Sequence, residues 1–120
     1  MTFPYDISVI VPIFNSETFI EPCMECLLGQ TVGFPRMEVL LVNDGSTDGS
    51  EDLCRRFAQQ YENVNLISQE NQGVSAARNA GIRAAQGKYI LFLDADDTIS
   101  ANAVEEITLF LTRIMRKSTF

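Results

Sequence analysis

The sequence predicts an α/β domain, with a mostly parallel sheet that carries helices on both faces. Short apolar runs alternate with longer segments in which apolar residues recur at helical spacing, in the order β-α-β-α-β-α-β-α. Strands that alternate with helices are joined by right-handed crossovers, which makes the strands parallel. The 120 residues are enough for one such domain but too few for two. A polar residue also follows each apolar run, at the strand ends where sheets of this class bind ligands.

The first strand is predicted at residues 7–11, a run rich in β-branched side chains that Pro12 closes. A helix follows it, and either Asn15 or Ser16 is a suitable N-cap. The apolar face of this helix is predicted from side chains that recur at helical spacing, namely Phe19, Cys23, Cys26 and Leu27.

The second strand is predicted at residues 38–43, and a tight turn at residues 44–46 follows it. Asp48 and Glu51 have the spacing of a capping box that opens a second helix. The apolar face of that helix consists of side chains four residues apart, Leu53, Phe57 and Tyr61.

A short third strand is predicted at residues 64–68, and a third helix runs from about Gly73 to Gln86. Gly87 ends this helix. Many residues of the helix are small, which lets a helix approach a sheet closely; they are Ala76, Ala77, Ala80, Gly81, Ala84 and Ala85.

The fourth strand is predicted at residues 89–93, a continuous apolar run typical of a buried strand, and a last helix spans about residues 101–117. Asp94, Asp96 and Asp97 follow this strand directly. Carboxylates at the end of a buried strand repel one another and lose solvation, a cost that a cation offsets. Carboxylate oxygens suit Mg²⁺ or Mn²⁺, which also bind substrate phosphates. The segment therefore predicts a metal-bridged diphosphate site.

Composition and charge exclude several classes of function. The net charge of −7 argues against nonspecific binding to nucleic acid or to an anionic membrane. No signal peptide and no apolar run of about 20 residues is present, so we expect a cytoplasmic location. The chain has no histidine and three cysteines. Cys23 and Cys26 form a single CxxC, which we interpret as packing on a helix face in a reducing compartment rather than as a redox or metal site.

Four motifs carry a resemblance to a known family. They are VIVPIFN at residues 9–15, VNDGSTD at 42–48, NQGVSAARNAG at 71–81 and LDADD at 93–97. In this order and spacing they resemble family 2 glycosyltransferases. That resemblance, over roughly residues 6–100, implies the GT-A (Rossmann-like) fold and a nucleotide-diphosphate sugar donor, commonly a UDP-sugar. It also implies inversion at the anomeric carbon.

The resemblance implies a nucleotide-binding role for the matching positions, which are Pro12, Phe14, Asn15, Asp44, Asn71, Gly73, Arg78 and Asp94. Asp44 would accept a hydrogen bond from the base edge, although an aspartate before Gly45 is also typical of a turn. Arg78 would pair with phosphate or base oxygens, the alternative being an exposed helical arginine. Asn79 fits packing and the site equally well.

The resemblance also implies a divalent metal, Mn²⁺ or Mg²⁺. Asp96 would bind it through its carboxylate, Asp94 would contact the metal or the ribose, and Asp97 would support either. A divalent ion that bridges the phosphates neutralises the charge that a UDP leaving group gains as the glycosidic bond breaks.

One part of the mechanism is expected to lie outside these 120 residues. Inverting transfer needs a general base to take the proton of the acceptor hydroxyl. The family supplies it as a carboxylate downstream, within an acceptor-binding half. Glu105 and Glu106 are expected on an exposed helix face, so no catalytic residue is assigned. We therefore expect residues 1–120 to be the donor-binding half of a GT-A domain, truncated before the acceptor half.

The resemblance leaves the sugar, the acceptor and the linkage open. The acceptor would be a saccharide or a lipid-linked saccharide. Many relatives build cell-surface polysaccharide at the inner face of the membrane, where the intact protein is expected to act. A truncated sheet would expose an edge or apolar surface, through which copies of the chain would associate.

Three rival interpretations compete for the same residues. Asp94 to Thr98 match the DxDxT of haloacid-dehalogenase-type phosphatases, which place that motif on their first strand rather than their fourth. A dinucleotide-binding dehydrogenase would need GxGxxG after the first strand, and none is there. A fragment that binds nucleotide without transferring a sugar is the non-enzymatic alternative, and turnover by the chain alone would separate it from an enzyme.

Overall fold

The computed structural model describes residues 2–117, which form a four-stranded parallel sheet with strand order β3-β2-β1-β4. The strands are β1 (Tyr5–Ile13), β2 (Met37–Asp44), β3 (Val64–Gln69) and β4 (Gly87–Phe92). The helices are α1 (Glu17–Leu28), α2 (Ser50–Gln60), α3 (Val74–Ala84) and α4 (Ala103–Lys117), with a short 3₁₀ helix at Phe34–Arg36. The predicted α/β class and element order are confirmed. None of the helices in this part of the chain is long and apolar enough to cross a membrane.

Helices cover both faces of the sheet, because alternate residues of the central strands point to opposite sides. Val9 and Val39, which are paired in register, pack in the larger core with residues of α1, α2 and α4. Ile10 and Leu40, the next pair, pack on the other face against Ala77 of α3. The two central strands are therefore buried on both sides, as a parallel sheet requires.

Helix α3 lies close to the sheet because its inner face has almost no side chain. Ala77 and Gly81 are buried on that face. A Cβ atom added at Gly81 would lie 2.5 Å from Cγ2 of Ile10, well inside van der Waals contact. The predicted close approach of this helix is confirmed.

The start of α1 lies where the sequence predicts it, with Ser16 at the N-cap position, but the capping contact differs. Strand β1 continues through Pro12, and the helix begins at Glu17 without a side-chain cap from Ser16. A carboxylate from the loop between β2 and α2 acts as the cap instead, since Oδ2 of Asp48 accepts the Glu17 N–H at 3.3 Å. Phe19 is 47% exposed, so its predicted place in the core is wrong. The buried face instead consists of Ile20, Cys23, Met24 and Leu27.

The predicted capping box of α2 does not form. Asp48 does accept a helix-start N–H, that of Ser50, at 2.9 Å. Glu51 points elsewhere and accepts hydrogen bonds from Ser68 Oγ at 2.7 Å and from Asn43 Nδ2 at 3.2 Å. Its carboxylate thus links the ends of β2 and β3 instead of closing the helix terminus.

Strand β4 is an edge strand, and the prediction that it is buried on both faces is wrong. Ile90 and Phe92 are 40% and 43% exposed, whereas Tyr89 and Leu91 pack against the larger core. The strand pairs with β1 on one side only, which leaves its other edge unpaired within residues 2–117. An apolar run in the sequence therefore does not distinguish a central strand, which is buried on both faces, from an edge strand with one exposed face.

The three cysteines are free thiols. Cys23 and Cys54 are buried, and Cys26 is half-buried. Burial raises the pKa of Cys23 to about 11 and that of Cys54 to about 12. Cys23 therefore packs in the core as predicted, whereas Cys26 is only partly covered.

Candidate functional site

A cavity of about 470 Å³ opens at the carboxyl ends of the strands, where ligands bind in sheets of this kind. The ends of β1 and β2 and the segments that follow β1, β3 and β4 contribute to its wall. Eight of the lining residues were predicted as nucleotide- or metal-binding residues: Pro12, Phe14, Asn15, Asp44, Asn71, Gly73, Asp94 and Asp96. Arg78 and Asp97, which were also singled out, do not line the cavity. The structure thus brings eight predicted positions from the ends of two strands and from three loops around one space.

Six further residues line the cavity without having been predicted: Ile13, Ser16, Phe19, Val74, Ala77 and Ala95. Phe19 lies four residues before Cys23, so its spacing predicted burial, and no signal in the sequence indicated that it borders a cavity instead. The remaining five are small or apolar residues next to predicted positions, and nothing in their type indicates a site.

Asn15 joins the loop after β1 to the loop after β2. Its backbone φ of 47° is left-handed, a conformation that asparagine tolerates better than most residues. Its N–H donates to Ser46 Oγ at 3.0 Å, and its side-chain Oδ1 accepts the Thr47 N–H at 2.8 Å. These contacts fix the cavity wall between the two loops.

Asp44 is buried at the end of β2, and its carboxylate organises the loop after β3. Oδ1 accepts from Gln69 Nε2 at 2.9 Å and from the Gln72 N–H at 2.8 Å, and Oδ2 accepts the Gly73 N–H at 2.9 Å. Burial alone would raise the pKa of this carboxyl group, but these hydrogen bonds outweigh it and hold the pKa below 3.8. The turn interpretation of Asp44 therefore holds in part, and the same side chain still borders the cavity.

The backbone approaches closely between these two loops. Asn71 Nδ2 donates to the Asp44 carbonyl at 3.0 Å. Gly45 has a φ of 73°, and a Cβ there would lie 2.6 Å from the Asn71 nitrogen. Gly73, with a φ of 101°, stands at the start of α3. Because Val74 and Ala77 of its first turn also line the cavity, the positive end of the α3 dipole borders this space.

Asp94, Asp96 and Asp97 lie together just beyond β4. One carboxylate oxygen from each lies within 4.8 Å of the others, and all three residues are exposed. The premise that these carboxylates lose their hydration is therefore wrong, because an edge strand leaves its end open to solvent. Three hard oxygen donors this close together still fit a divalent cation such as Mg²⁺ or Mn²⁺.

Arg78 lies beside this acidic group on the second turn of α3. Its Nη2 is 3.4 Å from Asp94 Oδ1, and its Cζ lies 5.7 Å from the centre of the Phe92 ring. Its Nε is buried and has no hydrogen-bond partner. The side chain is 39% exposed, so Arg78 is a cation at the edge of the cavity and not part of its wall.

The glutamates of α4 take no part in the cavity. Glu106 is exposed and accepts from Asn102 Nδ2 at 3.1 Å, and Glu105 is half-buried. Within residues 2–117, the carboxylates that line the cavity are those of Asp44, Asp94 and Asp96. The first of these is committed to backbone N–H groups, and the other two belong to the acidic group.

The sequence matches the family pattern described as glycosyl transferase family 2 over residues 8–116. It is 44% identical over 110 residues to the minor teichoic acid biosynthesis protein GgaB of Bacillus subtilis, an alignment that covers 91% of this chain and 12% of GgaB. Curated relatives are longer than this chain, which spans between 12% and 33% of their lengths.

Solved structures show the same fold. Residues 1–349 of S. aureus TarS in complex with UDP-GlcNAc superpose with a TM-score of 0.81 at 29% identity, covering 90% of this chain and 31% of that TarS chain. The mannosyltransferase PcManGT of Pyrobaculum calidifontis, in complex with GDP-Man and Mn²⁺, gives 0.71 at 30% identity, covering 87% and 32%. The sheet is thus that of the GT-A fold. All four motifs around the cavity fall within the family match, and the chain belongs to glycosyltransferase family 2.

Proposed function

We propose that the cavity binds a nucleotide-diphosphate sugar, in the first instance a UDP-sugar, and that this chain is the donor-binding half of an inverting glycosyltransferase. The convergence of eight predicted positions on one cavity at the carboxyl ends of the strands carries the proposal. Its volume of about 470 Å³ lies within the roughly 300–1,000 Å³ usual for small-ligand pockets. The TarS complex with UDP-GlcNAc supports the choice of donor.

The chemistry of the wall suits the parts of such a donor. Phe14 is half-exposed at the cavity and offers a ring face for a base. Asp44 holds the loop of Asn71 and Gly73 in place, so the base would lie against a preformed wall. The diphosphate would lie toward the start of α3 and Arg78, where a helix N-terminus and a guanidinium offset its charge.

We propose Mn²⁺ or Mg²⁺ as the cofactor, with Asp96 as its first ligand and Asp94 and Asp97 beside it. The three exposed oxygen donors fit such an ion, and PcManGT was solved with Mn²⁺. The ion would supply positive charge against the diphosphate leaving group. The protein's own part is to hold carboxylates next to the cavity on the short segment that follows β4.

The acceptor hydroxyl needs a general base, and no carboxylate of residues 2–117 is free at the cavity for that role. We therefore place the base and the acceptor site, for a saccharide or lipid-linked saccharide, in an acceptor half, with the intact protein acting on the cytoplasmic side of the membrane. The name of GgaB suggests a cell-surface polymer as the product. For the chain alone, the lack of a free carboxylate at the cavity within residues 2–117 favours donor binding without sugar transfer.

Calorimetric titration of UDP into the chain, with and without Mn²⁺, tests this proposal. We expect binding that Mn²⁺ strengthens and that D96N loses, because the asparagine offers no charge to the ion. D52N is the matched control, since Asp52 is exposed on α2 and, among the residues that the structure describes, pairs only with Arg55. No UDP binding in any condition, or equal binding by D96N, would contradict it. Release of free sugar from a UDP-sugar by the chain alone would contradict the placement of all catalytic groups elsewhere.

A further inference from the structure

We propose that Asp48 is a positioning residue of the donor site, although it lies outside the cavity. Its carboxylate caps two helices at once and thereby holds the part of the cavity wall that the start of α1 supplies. The inference rests on the donor site proposed above, and it adds a residue that determines donor affinity without contacting the donor.

The carboxylate of Asp48 lies between the starts of α1 and α2. Its Oδ2 accepts the Glu17 N–H at 3.3 Å, and its Oδ1 accepts the Ser50 N–H at 2.9 Å. These are the first N–H groups of the two helices. Neither can be satisfied within its own helix, because the first four N–H groups of an α-helix have no partner there. A negative charge is also favoured at the positive end of a helix dipole, and one carboxylate here serves two such ends.

Four further hydrogen bonds join the same two segments, each from a backbone N–H of one segment to a side-chain oxygen of the other. They pair the Asn15 N–H with Ser46 Oγ at 3.0 Å, the Ser16 N–H with Ser50 Oγ at 2.9 Å, the Thr47 N–H with Asn15 Oδ1 at 2.8 Å and the Gly49 N–H with Glu17 Oε2 at 3.2 Å. We call the two segments, residues 15–17 and 46–50, the clasp. Three successive N–H groups, those of residues 15–17, are thus all held by side chains from the other segment.

The clasp holds the part of the cavity wall that carries aromatic side chains. Phe14 directly precedes it, and Phe19 lies in the first turn of α1, where its N–H donates to the Ser16 carbonyl at 2.8 Å. Asn15 and Ser16 of the clasp also line the cavity, whereas Asp48 does not. Because Phe14 and Phe19 are 50% and 47% exposed, core packing does not fix them. Their position depends on the backbone that the clasp holds.

Asparagine at position 48 would break the double cap with little change of shape. An amide has one acceptor oxygen, whereas a carboxylate has two. D48N can therefore accept the N–H of Glu17 or of Ser50, and it turns an NH₂ donor toward the other. The wall would then hold its binding conformation for only part of the time, and the apparent affinity for a ligand falls by that fraction.

Calorimetric titration of UDP into the native protein and D48N tests the inference. We expect D48N to bind UDP about three- to tenfold more weakly, which corresponds to a binding-competent fraction of about 0.1–0.3. Its affinity for Mn²⁺ without nucleotide should stay the same, because the acidic group lies on the segment beyond β4. D52N is the matched control, with the same change at an exposed position of the same helix, and should bind both ligands as the native protein does.

Two measurements separate positioning from a general loss of stability. Amide hydrogen exchange in D48N should be faster at residues 15–17 and 46–50 and unchanged in β2 and β3, since the caps act locally. A second variant, S46A, removes the acceptor of the Asn15 N–H without a change of charge. It should also weaken UDP binding and leave Mn²⁺ binding as it is. Urea denaturation confirms that each variant is folded at the temperature of the titration.

Native UDP affinity in both D48N and S46A would overturn the inference and leave the donor site in place. Faster exchange throughout the sheet, or equal weakening of UDP and Mn²⁺ binding, would assign Asp48 to general stability and would also overturn it. Absence of UDP binding by the native protein would overturn the proposed function together with the inference. The failure of one is therefore distinguishable from the failure of both.

Discussion

Substitution of Gly81 by alanine tests how closely α3 is pressed against the sheet. The added Cβ would lie 2.5 Å from Cγ2 and 3.0 Å from Cγ1 of Ile10, a side chain that is fully buried in the central strand β1. Neither partner can move freely, because Ile10 is enclosed by the sheet and α3. Overpacking of this kind costs about 1–3 kcal/mol.

A second effect opposes that cost. Alanine is favoured over glycine inside a helix by about 0.8–1.0 kcal/mol. The two effects leave a net loss of up to about 2 kcal/mol in the free energy of unfolding of G81A. The helix would also be pushed outward, and its first turn lines the cavity. UDP affinity should therefore fall together with stability.

Urea denaturation of G81A, I10A and the double variant separates the clash from other effects. I10A alone should cost about 2–5 kcal/mol for the lost side chain and the cavity it leaves. In the double variant the alanine methyl at position 81 occupies part of that cavity, so the combined loss should be smaller than the sum by about 1 kcal/mol or more. Stabilisation of G81A by the full helix-propensity gain, with additive behaviour in the double variant, would refute the close contact.

Two further predictions concern titrating groups. D44N should lower the free energy of unfolding by about 1–3 kcal/mol. Both carboxylate oxygens of Asp44 accept a backbone N–H, from Gln72 and from Gly73, whereas an asparagine amide has one oxygen and would place its NH₂ donor against one of these N–H groups. Since folding lowers the pKa of Asp44, its contribution is complete above the unfolded pKa near 3.8 and is lost as the pH falls through the lower folded value. The melting temperature of the native protein should therefore fall more steeply than that of D44N on acidification below pH 4, and parallel curves would contradict this. Cys23 and Cys54, with pKa values of about 11 and 12, should react with iodoacetamide at pH 8 far more slowly than a free thiol; peptide mass spectrometry would follow each site, and rapid labelling of the folded protein at either would contradict the burial described.

The element order and the positions around the cavity could be predicted from the sequence because both depend on local pattern. Mostly apolar segments of five or six residues, each with a polar residue close behind, predict four strand ends, and a parallel sheet places all of those ends on one side. That reasoning places Asn15, Asp44, Asn71 and Asp94 together without knowledge of any distance. The roles assigned to them from family resemblance remain predictions.

The features that could not be predicted from the sequence depend on the order of the strands in the sheet and on contacts between residues far apart in the chain. Residues 89–93 have the composition of a buried strand, yet β4 lies at the edge of the described sheet, and the acidic group beyond it is exposed. The spacing of Asp48 and Glu51 fits a capping box, yet Glu51 accepts hydrogen bonds from side chains of two strands and pairs with Arg55 instead of closing the helix terminus.

Buried polar groups in the central strands show most clearly which features cannot be predicted from the sequence. Ser8 and Glu38 lie in predicted apolar strands and are 0% and 2% exposed. Ser8 Oγ donates to Glu38 Oε1 at 2.7 Å and accepts the Gly87 N–H at 2.8 Å, and the same glutamate oxygen accepts the Gln86 N–H at 2.8 Å. A buried carboxylate is tolerated only where such donors surround it. Because its donors lie 30 and 48 residues away, their arrival at one point is a property of the folded sheet. This group of hydrogen bonds holds the start of β4 against β1, and thereby positions the segment with Asp94 and Asp96 beside the cavity.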